Sequence, residues 1–255
     1  MPSSHTTWAP CRHPGGQRGQ RDRLRADHGG AHDDRMGGQT RKKSRRIQLK
    51  FKAYDSRPLE IAVMDKIKLG ISTCLLGEPV RYDGQHKLDP FLRDTLGPYV
   101  YYVPVCPEVE VGLGVPRDAM HLEVDPASPR LVTIQTHIDH TDRMNAWARK
   151  RVEALEAEGL CGFIFKSDSP SRGMERVKVY DEKGMPAKTG VGIFARMFMD
   201  AFPLLPVEEE GRLHDPQLRE NFIERIFALR RWREVRGAGS PRGALVDFHT
   251  RHKLL

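Results

Sequence analysis

Long apolar runs and cysteines are both scarce in this 255-residue chain. No run approaches the roughly 20 apolar residues that a membrane-spanning helix needs, and no apolar core follows the basic start as it would in a signal peptide. We therefore expect no membrane partner. The four cysteines are widely spaced, which argues against a disulfide scaffold and predicts a protein of the reducing cytoplasm.

The net charge of +8 is confined to the beginning of the chain. Residues 1–63 contain 14 Lys and Arg against 6 Asp and Glu, whereas residues 64–255 contain 28 of each. The basic run at residues 41–46 is typical of a nucleic-acid patch, but a solvated charge run is more common. Because the rest of the chain is charge-balanced, we do not expect a nucleic-acid partner.

Residues 1–46 have almost no Ile, Val, Leu or Phe. Such a segment cannot bury enough apolar surface to offset the entropy lost on ordering. We predict that residues 1–63, which include Cys11, are a disordered basic leader or an upstream extension that is not translated. Met64 is then the natural start.

Strand and helix patterns alternate from residue 64 onward. They predict strands over 66–72, 99–105 and 162–166, a short hairpin of 123–124 with 131–135, and helices over 89–96, 141–158, 192–202, 215–232 and 244–255. Strands separated by helices indicate an α/β fold with a Rossmann-like, mainly parallel sheet and flanking helices. After a break at 208–211 the patterns are wholly helical. We predict an α/β domain over 64–206 and, over 207–255, a helical linker with the truncated start of a second helical domain.

Residues with polar or reactive side chains follow each of the three predicted strands. They are Cys74, Arg81 and Asp83 after the first strand, Cys106, Glu108 and Arg117 after the second, and Ser169, Ser171 and Arg172 after the third. Open parallel sheets bind ligands beyond the carboxyl ends of their strands, near the point where the strand order reverses. We therefore expect these side chains to converge on one crevice that takes a small-molecule substrate.

The two cysteines of this crevice are candidate metal ligands. A lone cysteine at a strand end is more often plain packing, but two at equivalent positions favour a function. Thiols near helix N-termini have lowered pKa values, which suit metal ligation or nucleophilic attack. Cys161 precedes the third strand, roughly 16 Å from the crevice at about 3.3 Å per residue, and is predicted to be structural.

The other crevice residues are candidates for catalysis and substrate binding. Glu108 is a candidate general acid or base, although a carboxylate that caps the next turn is as plausible. We also assign Asp83 and Ser169 as catalytic candidates. The binding candidates are Arg81, Arg117, Ser171 and Arg172. Ser-Pro-Ser-Arg at 169–172 suits an anion or substrate loop, and a plain turn is the alternative.

Four motifs in this order resemble the thiouracil desulfurase-like family. They are Ser-Thr-Cys-Leu-Leu-Gly at 72–77, Val-Arg-Tyr-Asp-Gly at 80–84, Pro-Val-Cys-Pro-Glu at 104–108 and Lys-Ser-Asp-Ser-Pro-Ser at 166–171. Residues 173–180 resemble the YbgA-like subgroup, in which a helical second domain follows. Residues 248–255 resemble the opening of that domain.

The resemblance implies an oxygen-sensitive [4Fe–4S] cluster held by three cysteines. The fourth iron takes the sulfur of a thiocarbonyl such as 2-thiouracil, water replaces that sulfur at carbon, and sulfide is released. Cys74 and Cys106 match the first two cluster cysteines. The third position is Arg172, and a guanidinium cannot ligate iron.

Two functional hypotheses therefore stay open. The first is an iron–sulfur-dependent desulfurase that recruits another ligand, such as Asp168 or a serine hydroxyl. The second is a cluster-less module in which Arg172, Ser169 and Arg81 bind a small molecule or an anion. The sequence does not indicate an oligomeric state.

Overall fold

The computed structural model describes residues 66–253. The predicted leader, Cys11 and Met64 lie outside these residues, so what the sequence indicates for them stays a prediction. Within the described range the strands are β1 (Ile67–Ser72), β2 (Val100–Val105), β3 (Met120–Glu123), β4 (Arg130–Thr133), β5 (Gly162–Phe165), β6 (Val177–Tyr180), β7 (Pro186–Gly190) and β8 (Val207–Glu209).

The helices connect these strands or follow the last of them. They are α1 (Pro107–Glu110), α2 (Thr141–Ala157), α3 (Ile193–Ala201), α4 (Pro216–Gly237) and α5 (Arg242–His252). Shorter turns cover Thr73–Leu76, Gly97–Tyr99 and Arg212–His214 as 3₁₀-helices and Phe91–Leu96 as a π-helical turn. None of the described helices is long and apolar enough to cross a membrane.

The first sheet is wholly parallel, with the strand order β2-β1-β5-β8. The predicted α/β fold with a mainly parallel sheet is confirmed. The chain adds β2 on one side of β1 and later adds β5 and β8 on the other. The strand order therefore reverses between β1 and β5, which is where sheets of this kind bind ligands.

Helices cover both faces of this sheet, which explains why its strands are nearly continuous in apolar residues. On one face the β1 side chains pack with Phe222 and Ile226 of α4. On the other face Phe163 and Phe165 pack with α2 and α3. Met144, Ala148, Val152 and Leu155 form the buried face of α2. The predicted start of α4 is confirmed, since the Asp215 carboxylate accepts hydrogen bonds from the Gln217 and Leu218 N–H groups.

The second sheet has the order β4-β3-β6-β7 and includes the predicted hairpin as the antiparallel pair β3–β4. Strands β6, β7 and β8 were not predicted from the sequence. Strand β7 reads Pro-Ala-Lys-Thr-Gly and is exposed except at its last residue, so it has no apolar alternation. The predicted break at 208–211 was wrong at its beginning, because Glu208 and Glu209 lie buried in β8.

Candidate functional site

A cavity of about 410 Å³ lies at the carboxyl ends of β1, β2 and β5. Six of the nine predicted site residues line it: Cys74, Arg81, Glu108, Arg117, Ser169 and Arg172. Cys106 and Ser171 do not line the cavity but contact Glu108 beside it. Asp83 lies outside the lining and pairs with Arg81, with 3.3 Å between Arg81 Nε and Asp83 Oδ1, so its catalytic role stays a prediction.

The base of the cavity holds a buried ion pair between Arg172 and Glu108. Arg172 Nη2 lies 3.4 Å from Glu108 Oε2, and both side chains are 5% exposed. The Ser171 hydroxyl donates to the other carboxylate oxygen, Oε1, at 2.6 Å. Burial alone would raise the pKa of Glu108, but Arg172, the Ser171 hydroxyl and Arg117 outweigh it and hold this pKa below its usual range. Glu108 is therefore a carboxylate at neutral pH, not a proton donor.

The same guanidinium also contacts the first cysteine. Arg172 Nη1 donates to Cys74 Sγ at 3.8 Å. Burial alone would lower the pKa of Arg172, but Glu108 and the thiols of Cys74 and Cys106 raise it, so the guanidinium stays charged. Arg172 thus connects Cys74, which follows β1, to Glu108, which follows β2.

The second cysteine, Cys106, lies on the far side of Glu108. Its thiol is 3.6 Å from Glu108 Oε2 and donates toward it. Burial and the Glu108 charge raise the pKa of Cys106 to about 11. The expectation of a lowered thiol pKa was therefore wrong for Cys106, because desolvation and a neighbouring carboxylate exceed the effect of the four-residue helix α1.

Helix α3 fixes the loop that carries Arg172. The N–H groups of Phe194 and Ala195 both donate to the Ser171 carbonyl, at 2.9 and 3.2 Å. Gly192 makes this approach possible, since a Cβ at this position would lie 2.5–2.7 Å from backbone atoms of Ser171 and Arg172. The Arg172 N–H in turn donates to the Ser169 hydroxyl at 3.3 Å.

Two carboxylates at the end of β8 hold the same loop from the other side. Glu210 accepts from Lys166 Nζ at 2.6 Å and from the Ser167 N–H at 2.7 Å. Glu209 accepts from the Met174 N–H at 2.8 Å. Neither carboxylate was among the predicted site residues. The acidic run at residues 208–210, directly after Val207, was the available signal, but it was interpreted as a break between the α/β domain and the helical region.

Positive charge exceeds negative charge around the cavity. Its cations are Arg81, Lys87, Arg117, Lys166 and Arg172, and its carboxylates are Glu108, Asp118 and Asp168. The Nε atoms of Arg117 and Arg172 are buried, and neither has a hydrogen-bond partner within the described part of the chain. The excess of cations in the lining suits a ligand with acceptor atoms.

The donor set of the site does not fit a cluster held by three protein ligands. No three His, Cys, Asp or Glu side chains between residues 66 and 253 are grouped to hold a metal ion. The guanidinium of Arg172 contacts Cys74 where a third thiolate would be needed. Cys161 cannot replace it, because it is buried at the opposite end of β5. It contacts Arg233 there, in accord with its predicted structural role.

The cavity lies at the switch point of a Rossmann-like parallel sheet, where proteins of this fold bind their ligands. The sequence profile of the 2-thiouracil desulfurase family matches residues 69–210, more than half of the chain. The chain therefore belongs to the 2-thiouracil desulfurase family. Membership of the YbgA-like subgroup stays a prediction.

One solved structure that matches this chain is that of a [4Fe-4S]-dependent thiouracil desulfidase, TudS. It is 29% identical in sequence, and the alignment covers 61% of this chain and 97% of that one with a TM-score of 0.48. No curated protein matches the sequence.

Proposed function

We propose that this chain binds a small thiocarbonyl compound, such as a thiolated pyrimidine, in the cavity at the carboxyl ends of β1, β2 and β5. Membership of the 2-thiouracil desulfurase family supports this ligand class. The cavity volume of about 410 Å³ lies within the range of small-molecule sites, roughly 300–1,000 Å³.

The polar groups around the cavity match the edges of such a ligand. A thiolated pyrimidine presents sulfur and oxygen acceptors, which suit the N–H donors of Arg117 and Arg172. Its ring N–H groups are donors and suit the Asp168 carboxylate, which has no hydrogen bond to any other described residue.

We propose further that this binding needs no iron–sulfur cluster. The observation that carries the proposal is the position of Arg172, whose guanidinium contacts both Cys74 and Glu108. A permanent cation in the third-ligand position favours a ligand with negative or electron-rich atoms over an iron ion.

Binding of 2-thiouracil to protein purified without added iron tests the proposal. We expect a measurable dissociation constant by calorimetry and a rise in melting temperature, both lost in the double variant Glu108→Gln/Arg172→Met. That variant removes both charges of the pair together, so it leaves no unpaired buried ion and is expected to fold. Uracil serves as the matched control ligand. Undiminished binding by the double variant would contradict the proposal.

A second candidate function is cluster-dependent removal of sulfur from the same ligand. It is favoured by Cys74 and Cys106, two buried thiols that directly follow the neighbouring strands β1 and β2. It requires about four iron and four sulfide per chain after anaerobic purification, and sulfide release from 2-thiouracil. Colourless, iron-free protein from an iron-replete anaerobic preparation excludes it and leaves the cluster-less proposal standing.

We also propose that the protein works in the reducing cytoplasm. Cys74, Cys106 and Cys161 are all free thiols, although each is buried. Oxidising compartments favour paired cysteines. Fractionation of the source cells with an antibody against the chain tests this location.

A further inference from the structure

An apolar groove lies at the end of the first sheet opposite the cavity. Its volume is about 390 Å³, and it runs between helix α4 and the loop that joins α3 to β8. Arg233 of α4 donates to the carbonyl groups of Gly159 and Leu160, at 2.9 and 2.7 Å, and these two residues come shortly before β5. The cavity, in contrast, follows β5. This α4 groove has six apolar wall residues, namely Phe202, Pro203, Leu204, Leu205, Leu229 and Trp232.

The floor of the α4 groove is fixed by the core, whereas its rim is exposed. Phe202 and Leu229 pack against the core on the α3 side of the sheet. At the rim, Leu204 is 86% exposed and Trp232 is 36% exposed. The Trp232 ring is held by Phe248 of α5, with 5.3 Å between the ring centroids. Exposed apolar side chains above a preformed floor are typical of a protein-binding surface, and Trp is a frequent anchor there.

The wall that α4 contributes is a single stripe of this helix. Its four residues are spaced i, i+3, i+4 and i+7, so they lie on one face: Leu229, Trp232, Arg233 and Arg236. A second helix laid along this stripe can pack its side chains between those of α4. The backbone of such a helix already satisfies its own hydrogen bonds. The occupant that suits the groove is therefore an amphipathic helix with apolar residues on one face.

The charges of the groove indicate the charge of that helix. Arg233 and Arg236 are the only charged wall residues in the part of the chain that the structure describes. Arg236 is exposed, and its guanidinium has no hydrogen bond or ion pair to another described residue. The neighbouring Glu234 does not line the groove, and its Oε1 lies 2.6 Å from Arg230 Nε. A second copy of this chain, related by a two-fold axis, would bring two more arginines into the groove, so the charges favour an acidic partner instead.

We infer that the α4 groove binds an acidic amphipathic helix of a partner protein. Apolar side chains of that helix enter between Leu204 and Trp232. Its carboxylates pair with Arg233 and Arg236. Because the groove and the cavity lie at opposite ends of β5, this inference does not depend on the proposed function.

A designed helical peptide tests the inference on the full chain. The peptide has about four turns, leucine at every third or fourth position and glutamate on both sides of this stripe. A matched peptide has lysine in place of glutamate, and a third has the acidic composition in scrambled order. We expect fluorescence anisotropy to show saturable binding of the acidic peptide, about tenfold weaker binding of the basic one and no binding of the scrambled one.

Two exposed positions of the groove allow substitutions that leave the fold intact. Arg236→Glu should weaken binding of the acidic peptide about tenfold at low salt, and added salt should shrink this loss because it screens exposed charges. Leu204→Ser should weaken binding about fivefold at any salt concentration. The matched controls are Arg225→Glu, at an exposed position of α4 outside the groove, and Met185→Ser, at an exposed position between β6 and β7. Neither control should change the binding.

The inference is overturned if the acidic peptide does not bind, or if the basic or the scrambled peptide binds as tightly. It is also overturned if either control weakens binding as much as the groove variant that it matches. Sedimentation velocity tests the other occupant, a second copy of the chain. We expect Leu204→Ser to leave the sedimentation coefficient unchanged. A dimer that this variant dissociates would assign the groove to a second copy and would overturn the inference as well.

Discussion

Arg172 Nη2 lies 3.4 Å from Glu108 Oε2, and each of the two side chains is 5% exposed. A charge pair so far from water costs desolvation energy on each ion, and each member depends on the other. The pair is therefore both the electrostatic base of the cavity and its most vulnerable contact.

Removing one member of this pair should destabilise the fold strongly. We expect Arg172→Ala to lower the free energy of unfolding by about 3–5 kcal/mol, because Glu108 would be left as a buried unpaired charge. The double variant Glu108→Gln/Arg172→Met should lose much less, since neither residue is then charged. Urea denaturation of the three proteins measures the difference. Equal losses in the single and double variants would show that the pair does not act as a unit.

Placing a thiol at position 172 should change what the site can hold. Arg172→Cys adds a third thiol to the site beside Cys74 and Cys106. Thiolates are the usual ligands of iron–sulfur clusters. After anaerobic incubation with iron and sulfide we expect more iron per chain in this variant than in the wild type. Arg172→Ser, of similar size but without a thiol, is the control. Equal iron in the cysteine and serine variants would refute the assignment of position 172.

The close contact at Gly192 predicts a local loss of stability. A methyl group there would lie 2.5 Å from the Ser171 carbonyl carbon and 2.6 Å from the Arg172 nitrogen. These are backbone atoms that cannot rotate away, so Gly192→Ala should cost about 1–3 kcal/mol of unfolding free energy. Gly211→Ala is the matched control, since a methyl group at Gly211 meets nothing within 4 Å. Thermal or urea unfolding compares the two, and a harmless Gly192→Ala would contradict the packing.

The stability of the protein should depend on pH through Glu209. Burial raises the pKa of Glu209, the Glu210 and Glu175 charges add to this, and the hydrogen bond from the Met174 N–H opposes it. The folded protein therefore holds this proton more tightly than the unfolded chain does. Wild-type stability should fall as the pH rises from the ordinary Glu value of about 4.3 through the raised folded value.

Glu209→Gln carries no such charge, so its stability relative to the wild type should increase over that pH window and stay constant above it. Urea denaturation at several pH values gives this difference. Glu153→Gln, at an exposed position on α2, is the control and should show no such trend. A difference for Glu209→Gln that does not vary with pH would be inconsistent with a raised pKa.

The sequence predicts the contents of the cavity well where they follow apolar strands. Cys74, Glu108 and Arg172 each come shortly after such a strand, and parallel strands bring their carboxyl ends to one edge. Asp83 lies outside the cavity lining and pairs with Arg81 of its own loop, a contact that spacing alone does not reveal.

Strand β8 was not predicted because its neighbour β5 is distant in the chain. The role of Glu210 depends on β8 lying beside β5, and no local pattern in an acidic tripeptide specifies that pairing. Strand β7 was not predicted for a different reason. It is exposed except at its last residue and lacks the apolar alternation on which strand prediction depends.

The contact between Lys166 and Glu210 also determines when the cavity can be completed during synthesis. The two residues are 44 positions apart, and β8 must pair with β5 before the carboxylate reaches the ammonium group. When Cys74, Glu108 and Arg172 have emerged from the ribosome, the nascent chain still lacks the contact between Lys166 and Glu210. The site therefore acquires its final form only after the strand that precedes α4 has emerged from the ribosome.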